Sequence, residues 1–191
     1  MKITVVQGHP DGSRVHLCHA LANAYCRGAR GAKHSVRVVD LGKLEFPLLR
    51  SKDAFEHGPL PAELQEAQQA IAWAEHLVLV YPLWLGEMPA IVKAFLEQVL
   101  RPGFAFEARG HDWTPRLRGK TARVVVTMGM PAAVYRWYFA AHGLKSLRRN
   151  ILSFVGFKPV RSTLIGLVEA MGEKRQKSWF ERLAKLGAAG R

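Results

Sequence analysis

The stretch LVLVYPLWLGEMPAIVKAFLEQVL, residues 77–100, contains a strand, a loop and a helix in succession. Its first five residues are large and mostly apolar, which is typical of a strand covered on both faces of a parallel sheet. Pro89 lies where the first turn of a helix accepts proline, so a helix is predicted over 89–100. An apolar strand that leads directly into a helix indicates an α/β fold.

The same alternation recurs on both sides of this stretch. Strands are predicted over residues 3–7, 36–41, 77–81, 123–127 and 162–165. Helices are predicted over residues 13–29, 61–75, 89–100, 133–153 and 173–186. This spacing predicts a three-layer α/β fold, with a doubly wound parallel sheet of five strands in the order 2-1-3-4-5. Ligands of such a sheet bind beyond the carboxyl ends of the strands, beside the switch between strands 1 and 3.

The composition is that of a globular protein, with 191 residues, 49% hydrophobic and 23% charged. It excludes a disordered, collagen-like or coiled-coil chain and predicts one domain over residues 1–191. The formal net charge of +13 comes entirely from residues 101–191, which hold eighteen Lys/Arg and five Asp/Glu. This asymmetry indicates either an anionic partner, such as a nucleic acid, a membrane surface or a phosphorylated ligand, or simply a well-solvated basic face.

Cys18 and Cys26 lie in one predicted helix, too far apart for a disulfide, and no Cys/His spacing matches a structural zinc site. The first apolar run is too short for a signal peptide, and no run approaches the ~20 residues that span a bilayer. We therefore expect a reduced, cytoplasmic protein without a metal site, in which any membrane contact is peripheral.

The loop after strand 1, GHPDGSRVH at residues 8–16, is a candidate phosphate site. Ser13 is a good N-cap for the next helix, and a helix N-terminus with free amides, a hydroxyl and His9 suits a phosphate group. Alternatively, Ser13 only caps the helix and His9 only packs. The loop is neither a GxGxxG nor a Walker loop, which argues against a Rossmann dehydrogenase and a P-loop NTPase. His16 and His19 share a helix face, but they lack the further ligands of a metal site.

Two further loops lie at the predicted ligand-binding edge. YPLWLGEMPA at residues 81–90 is apolar, and it either suits a flat aromatic ligand or plugs the core beneath a lid or subunit interface. TMGMP at residues 127–131 contains Gly129, which permits close approach of the backbone to a ligand. Tyr135 and Trp137 follow this loop and are either site residues or ordinary packing residues.

At these loops the sequence resembles the flavodoxin-like NAD(P)H:quinone reductases, the DT-diaphorase group and its shorter bacterial relatives. The resemblance covers about residues 1–170 and is most specific in YPLWLGEMPAIVKAFLEQVLRPGFAFE, residues 81–107. HPDGS at 9–13 resembles the first phosphate loop of that family, and TMGMP resembles the loop after its fourth strand. The resemblance implies a flavodoxin-like fold.

The resemblance also implies the roles of thirteen residues. Four in the first loop would contact the phosphate arm of a flavin: His9, Ser13, Val15 and His16. Four in the second would line the isoalloxazine ring: Pro82, Leu83, Trp84 and Leu85. Four in the third would approach the other edge of the ring: Thr127, Met128, Gly129 and Met130. Tyr135 matches a tyrosine that assists hydride transfer in the family.

The implied activity is hydride transfer from NAD(P)H, through bound FMN or FAD, to a quinone-like acceptor. The family implies a homodimer whose sites are completed across the interface, with residues 103–119 supplying a contact or a lid through Phe104, Phe106 and Trp113. The alternative is a non-catalytic or regulatory subunit of a membrane potassium-efflux system. A one-electron flavodoxin carrier is disfavoured because such carriers are typically acidic.

The basic second half then has a specific interpretation. No recognisable nucleic-acid module accompanies it, so no nucleic-acid partner is expected. We expect instead that some of five arginines rim the site and attract the phosphates of NAD(P)H: Arg116, Arg118, Arg136, Arg148 and Arg149.

Overall fold

Seven strands are present in the computed structural model, which describes residues 1–109 and 112–191 of the chain. They are β1 (Lys2–Gln7), β2 (Ser35–Asp40), β3 (His76–Pro82), β4 (Phe106–Arg109), β5 (Asp112–Pro115), β6 (Thr121–Thr127) and β7 (Val160–Ile165). Five of them form a parallel sheet in the order β2-β1-β3-β6-β7. This is the predicted 2-1-3-4-5 order, since β4 and β5 form a separate antiparallel hairpin.

Seven α-helices flank the sheet within the described residues. They are α1 (Leu17–Gly31), α2 (Lys52–Glu56), α3 (Gln65–Trp73), α4 (Ala90–Val99), α5 (Ala132–Trp137), α6 (His142–Ser146) and α7 (Glu173–Ala188). A π-helical turn (Leu147–Leu152) continues α6. Within the described residues, no helix is both long and apolar enough to cross a membrane.

The core has one layer on each face of the sheet, because side chains alternate between the faces along each strand. Ile3 and Val5 of β1 pack with Tyr25 of α1 and Leu183 of α7. The other face packs against α3, α4 and the segment around α6. α1 and α7 approach so closely that a Cβ on Gly28 would lie 1.9 Å from the carbonyl oxygen of Ala184. Glycine is therefore required sterically at this crossing.

The prediction that Ser13 is the N-cap of α1 is wrong. The helix begins at Leu17, and His16 rather than Ser13 is the N-cap. The reason is local: Asp11 accepts hydrogen bonds from the backbone N–H and the hydroxyl of Ser13, at 2.8 and 2.5 Å, which holds Ser13 in the preceding loop. Because short polar side chains form such turns readily, they compete with helix formation.

The helix predicted over 133–153 is interrupted. Ala140 and Ala141 have φ values of 51° and 48°, in the left-handed region, and they separate α5 from α6. The two left-handed residues are themselves alanines, neither glycine nor asparagine, so the tertiary environment specifies this break.

The predicted excursion over 103–119 contains the hairpin of β4 and β5. The ring of Trp113 stacks on Phe154 with centroids 4.4 Å apart, and Phe106 meets the same ring edge-on. Gly110 and His111, which belong to this excursion, lie outside the described residues. The hairpin thus packs against the segment that follows α6.

Candidate functional site

Three loops meet at the carboxyl ends of β1, β3 and β6. The backbone N–H of Gly8 donates to Val80 at 2.7 Å, which joins the β1 loop to β3. The N–H of Leu83 donates to Thr127, also at 2.7 Å, which joins the β3 loop to the end of β6. The residues predicted from three separate motifs are therefore neighbours at one edge of the sheet, as the switch-point rule requires.

Asp11 organises the loop after β1. Its carboxylate accepts both hydrogen bonds from Ser13 and lies 2.7 Å from Nε2 of His16. The hydrogen bond from the Ser13 hydroxyl, followed by that from His16, lowers the pKa of Asp11 far below its ordinary value. The hydroxyl of Ser13 is thus engaged inside the loop, and Asp11 is ionised at neutral pH.

Three imidazole rings form a cluster beside this carboxylate. His9 stacks on His16 with centroids 3.8 Å apart, and His19 lies 5.6 Å from His9. Nδ1 of His19 accepts the backbone N–H of His16 at 3.1 Å. Burial lowers the pKa of His9 and of His19, with the neighbouring His16 contributing to both shifts. Among the described residues, no group of His, Cys, Asp and Glu has the arrangement of a metal site.

A tight turn at residues 84–87, here named the wall turn, projects apolar side chains. Trp84 and Glu87 exchange backbone hydrogen bonds of 2.9 and 3.0 Å. Leu85 and Gly86 between them have φ values of 48° and 81°. Positive φ at both central residues is typical of hairpin turns, but it is strained for leucine. Leu85 is fully exposed, and Trp84 is 50% exposed.

The wall turn and the β1 loop face one another. The indole of Trp84 meets the ring of His9 edge-on, with centroids 6.3 Å apart. Val15, at the far end of the β1 loop, is 76% exposed. Pro82 and Leu83 are half-buried beneath the wall turn, where Leu83 packs on the core. Apolar side chains thus remain exposed where the two loops meet.

The segment after β6 presents backbone rather than side chains. Thr127 is buried, and its hydroxyl forms a 3.2 Å hydrogen bond with Cys18, whose pKa burial raises to about 11. The Met128 side chain is also buried in the core. The backbone N–H groups of Gly129 and Met130 make no hydrogen bond within the described part of the chain. These two residues can therefore offer amide donors to a ligand.

Tyr135 lies behind the wall turn. Its ring is buried, its hydroxyl donates to the carbonyl of Gly86 at 3.3 Å, and it accepts the N–H of Leu144 at 3.2 Å. Burial raises the pKa of this phenol. In this arrangement Tyr135 connects the wall turn to α6.

Comparison with other proteins identifies the family. A family model described as flavodoxin-like fold matches residues 1–188. The chain belongs to the flavodoxin-like family.

Its relatives include named oxidoreductases. The chain is 25% identical to an uncharacterized NAD(P)H oxidoreductase of Haemophilus influenzae, over 97% of this chain and 93% of that protein. It is 25% identical to the FMN-dependent NADH:quinone oxidoreductase of Macrococcus caseolyticus, over 100% and 98%. It is 28% identical to ribosyldihydronicotinamide dehydrogenase [quinone] of Homo sapiens, over 71% of this chain and 62% of that protein. The chain therefore spans less than two thirds of the human relative.

The edge of this flavodoxin-like sheet fits a flavin on two observations. The backbone N–H groups of Arg14 and Val15 have no partner within the described residues, and the first amides of α1 follow them. Such amides suit the phosphate of a flavin. The exposed Trp84 and Leu85 suit its flat ring. The protein groups that suit a phosphate and those that suit a flat ring thus lie on different loops.

Four residues at this edge received no role in the site from the sequence patterns. His19 joins the histidine cluster, and Cys18 contacts Thr127. Glu87 and His142 line a common cleft beside the wall turn. The spacing of His16 and His19 predicts that they share a helix face, but it does not show that His9 stacks on His16. The interruption before α6 conceals the position of His142.

Proposed function

We propose that this chain is a single-domain, flavin-dependent NAD(P)H oxidoreductase that transfers hydride to a quinone-like acceptor. The observation that carries the proposal is the meeting of an amide-rich loop with the exposed, apolar wall turn at the switch point of the sheet. The oxidoreductase relatives support the reaction class.

FMN rather than FAD is the proposed flavin. The β1 loop is short and its polar side chains bond to one another, so it suits a terminal phosphate. The relative named as FMN-dependent matches all of this chain. We assign the phosphate to the backbone N–H groups of Arg14 and Val15 with His9, because those of Ser13 and His16 are already bonded within the loop and its helix. We assign the ring to Trp84 and Leu85 on one side and to the amides of Gly129 and Met130 on another.

Bound flavin supplies the capacity to accept hydride from one molecule and to donate it to the next. The residues of the chain bind and orient. Trp84 and Leu85 provide an apolar surface that excludes water from one side of the ring. The amides of Gly129 and Met130 are available to stabilise negative charge on a ligand. Tyr135 holds the wall turn through Gly86, so its proposed role in this structure is positioning.

The decisive experiment combines spectroscopy with turnover. The purified protein is expected to bind FMN with a visible flavin spectrum, and the loaded protein is expected to reduce a benzoquinone with NADH or NADPH. FAD, tested in parallel, is expected to bind more weakly. If FMN-loaded protein oxidises neither nucleotide with any quinone supplied, the proposed activity is wrong.

We also propose a homodimer. Three consecutive aromatic residues at the end of α5 are exposed, Trp137 at 78%, Tyr138 at 82% and Phe139 at 47%. An exposed apolar patch of this kind marks an interface. Sedimentation is expected to show a dimer that Trp137→Ser/Tyr138→Ser converts to a monomer, whereas the exposed Leu48→Ser leaves the dimer intact. A monomeric wild-type protein at working concentration would contradict this proposal.

A further inference from the structure

A polar cleft of about 420 Å³ opens beside the wall turn. Glu87 of that turn lines one side of it. The other side comes from α6 and the π-helical turn that continues it, through His142, Lys145, Ser146, Arg149 and Asn150. These residues recur every three or four positions, so they share one face of the helical segment. The cleft is thus built from one turn and one helix face.

Direct contacts connect this cleft to the candidate flavin site. The Tyr135 hydroxyl bridges the carbonyl of Gly86 and the N–H of Leu144, the third residue of α6. A Cβ on Gly143 would come within 2.6 Å of the Glu87 carboxyl group, so the helix backbone lies directly against the wall turn. The cleft therefore borders the wall turn directly.

The cations of the cleft differ from two other basic residues of the second half, Arg148 and Arg116. Arg148 donates twice to the carbonyl of Val160, at 3.2 and 2.9 Å. Arg116 bonds to Glu107 and to the carbonyl of Gly103. Lys145 and Arg149 are exposed and make no ion pair or hydrogen bond of the side chain within the described part of the chain. Their charge is available to a ligand.

We propose that Lys145 and Arg149 bind the 2′-phosphate of NADPH and make NADPH the preferred hydride donor. This inference rests on the proposed function, because it concerns the nucleotide of the same site. NADPH differs from NADH by one phosphate monoester, and two unpaired cations favour that added negative charge. Ser146 and Asn150 offer neutral hydrogen-bonding groups beside them.

Glu87 is the acidic residue of the cleft, and its negative charge repels a phosphate there. Lys145 and Arg149 outnumber it by two charges to one. Removal of its charge should therefore increase the preference for NADPH, whereas removal of the two cations should abolish it. The opposite signs of these changes separate a local charge effect from general damage to the site.

The first test measures kcat and KM for both nucleotides with the FMN-loaded protein. Lys145→Gln/Arg149→Gln is expected to raise KM for NADPH about tenfold, which corresponds to about 1.4 kcal/mol. KM for NADH should change less than threefold, and kcat should be retained because the phosphate does not react. The matched control is Lys158→Gln/Arg161→Gln, which removes the same charge at the opposite edge of the sheet and should leave the NADPH preference unchanged.

The second test does not use turnover. Calorimetry with NADP⁺ and NAD⁺ is expected to show tighter binding of NADP⁺ to the wild-type loaded protein and equal binding to the double variant. Glu87→Gln should tighten NADP⁺ binding and leave NAD⁺ binding nearly unchanged. Increasing salt should weaken NADP⁺ binding more than NAD⁺ binding.

The two proposals can fail separately. Turnover with NADH and NADPH at equal efficiency, unchanged in Lys145→Gln/Arg149→Gln, overturns the phosphate assignment but leaves the oxidoreductase intact. Selective loss of NADP⁺ binding in that variant, without turnover by any loaded protein, overturns the proposed reaction but supports the phosphate assignment. An equal loss of NADPH preference in the Lys158→Gln/Arg161→Gln control would also overturn the assignment, because the effect would then follow net charge alone.

Discussion

The loop after β1 and the wall turn contribute to one site in opposite ways. In the β1 loop, Asp11, Ser13 and His16 bond to one another, so the side chains stabilise the loop, and the backbone N–H groups of Arg14 and Val15 remain available. In the wall turn, the backbone groups of Trp84 and Glu87 bond to one another, and Trp84 and Leu85 remain exposed. One loop presents amides to a ligand and the other presents apolar side chains. A ligand with an anionic arm and a flat ring needs both.

The largest expected effect on FMN affinity comes from loss of the Trp84 side chain of the wall turn. Trp84→Ala should weaken FMN binding roughly tenfold to a hundredfold, because the ring loses its largest apolar contact. Quenching of FMN fluorescence on titration measures this loss. Trp73→Ala removes an indole that packs against Arg37 elsewhere, and it should leave FMN affinity unchanged. Equal losses in the two variants would show that Trp84 does not contact the flavin.

FMN affinity should depend on the hydrogen-bonded geometry of the β1 loop more than on the negative charge of Asp11. Asp11→Ala removes the acceptor that organises the loop, and FMN binding should weaken about fivefold. Asp11→Asn keeps an acceptor for the N–H of Ser13 and also removes a negative charge near the phosphate, so its loss should stay below about twofold. Equal effects of the two substitutions, measured by the same titration, would contradict the proposed preorganisation.

Substitution of Tyr135 tests whether the hydrogen bonds of its hydroxyl to Gly86 and Leu144 stabilise the wall turn. Tyr135→Phe removes the bonds to Gly86 and Leu144, and it should lower the free energy of unfolding by about 1–2 kcal/mol. FMN affinity should fall about threefold, whereas the hydride-transfer rate at saturating FMN should change less than threefold. Denaturant titration, the FMN fluorescence titration and stopped-flow absorbance measure these three quantities. A large loss of rate at saturating FMN would instead make Tyr135 a catalytic residue.

The smallest expected effect is a pH dependence of stability that originates in the cluster of His9, His16 and His19. Because burial lowers the pKa of His9 and His19 in the folded protein, the unfolded chain binds protons more readily below its ordinary histidine value. Their contribution to stability is therefore present above about pH 6.5 and is lost as the pH falls through the lower folded values.

Denaturant titrations between pH 7.5 and about pH 5 measure this contribution. His76 contributes a pH dependence of stability with the same sign, because burial and the nearby Arg123 and Arg161 lower its pKa to about 4. His19→Asn should reduce the slope relative to wild type, whereas His57→Gln, at an exposed position on the surface, should not. Identical slopes in wild type and His19→Asn would exclude His19 as a source.

Several features of the fold and site follow from local patterns. The apolar runs predict β1, β3 and β6 because strands buried on both faces cannot alternate polar and apolar residues. Five strands in a chain of this length fit the 2-1-3-4-5 order, and the ligand-binding edge then follows from the switch-point rule. Trp84 and Leu85 stand out in the sequence because apolar residues are unexpected in a loop at that edge.

The sequence by itself therefore determined the α/β architecture, the order of the sheet and the three loops that form the site. Only the tertiary structure decided which groups those loops present. Packing between segments distant in sequence decides the left-handed conformation of Ala140 and Ala141 and the burial of Tyr135. It also decides that Arg148 bonds to the carbonyl of Val160 while its neighbour Arg149 faces the cleft. Periodicity records which residues are buried, but the direction of an individual polar side chain depends on partners that local sequence does not contain.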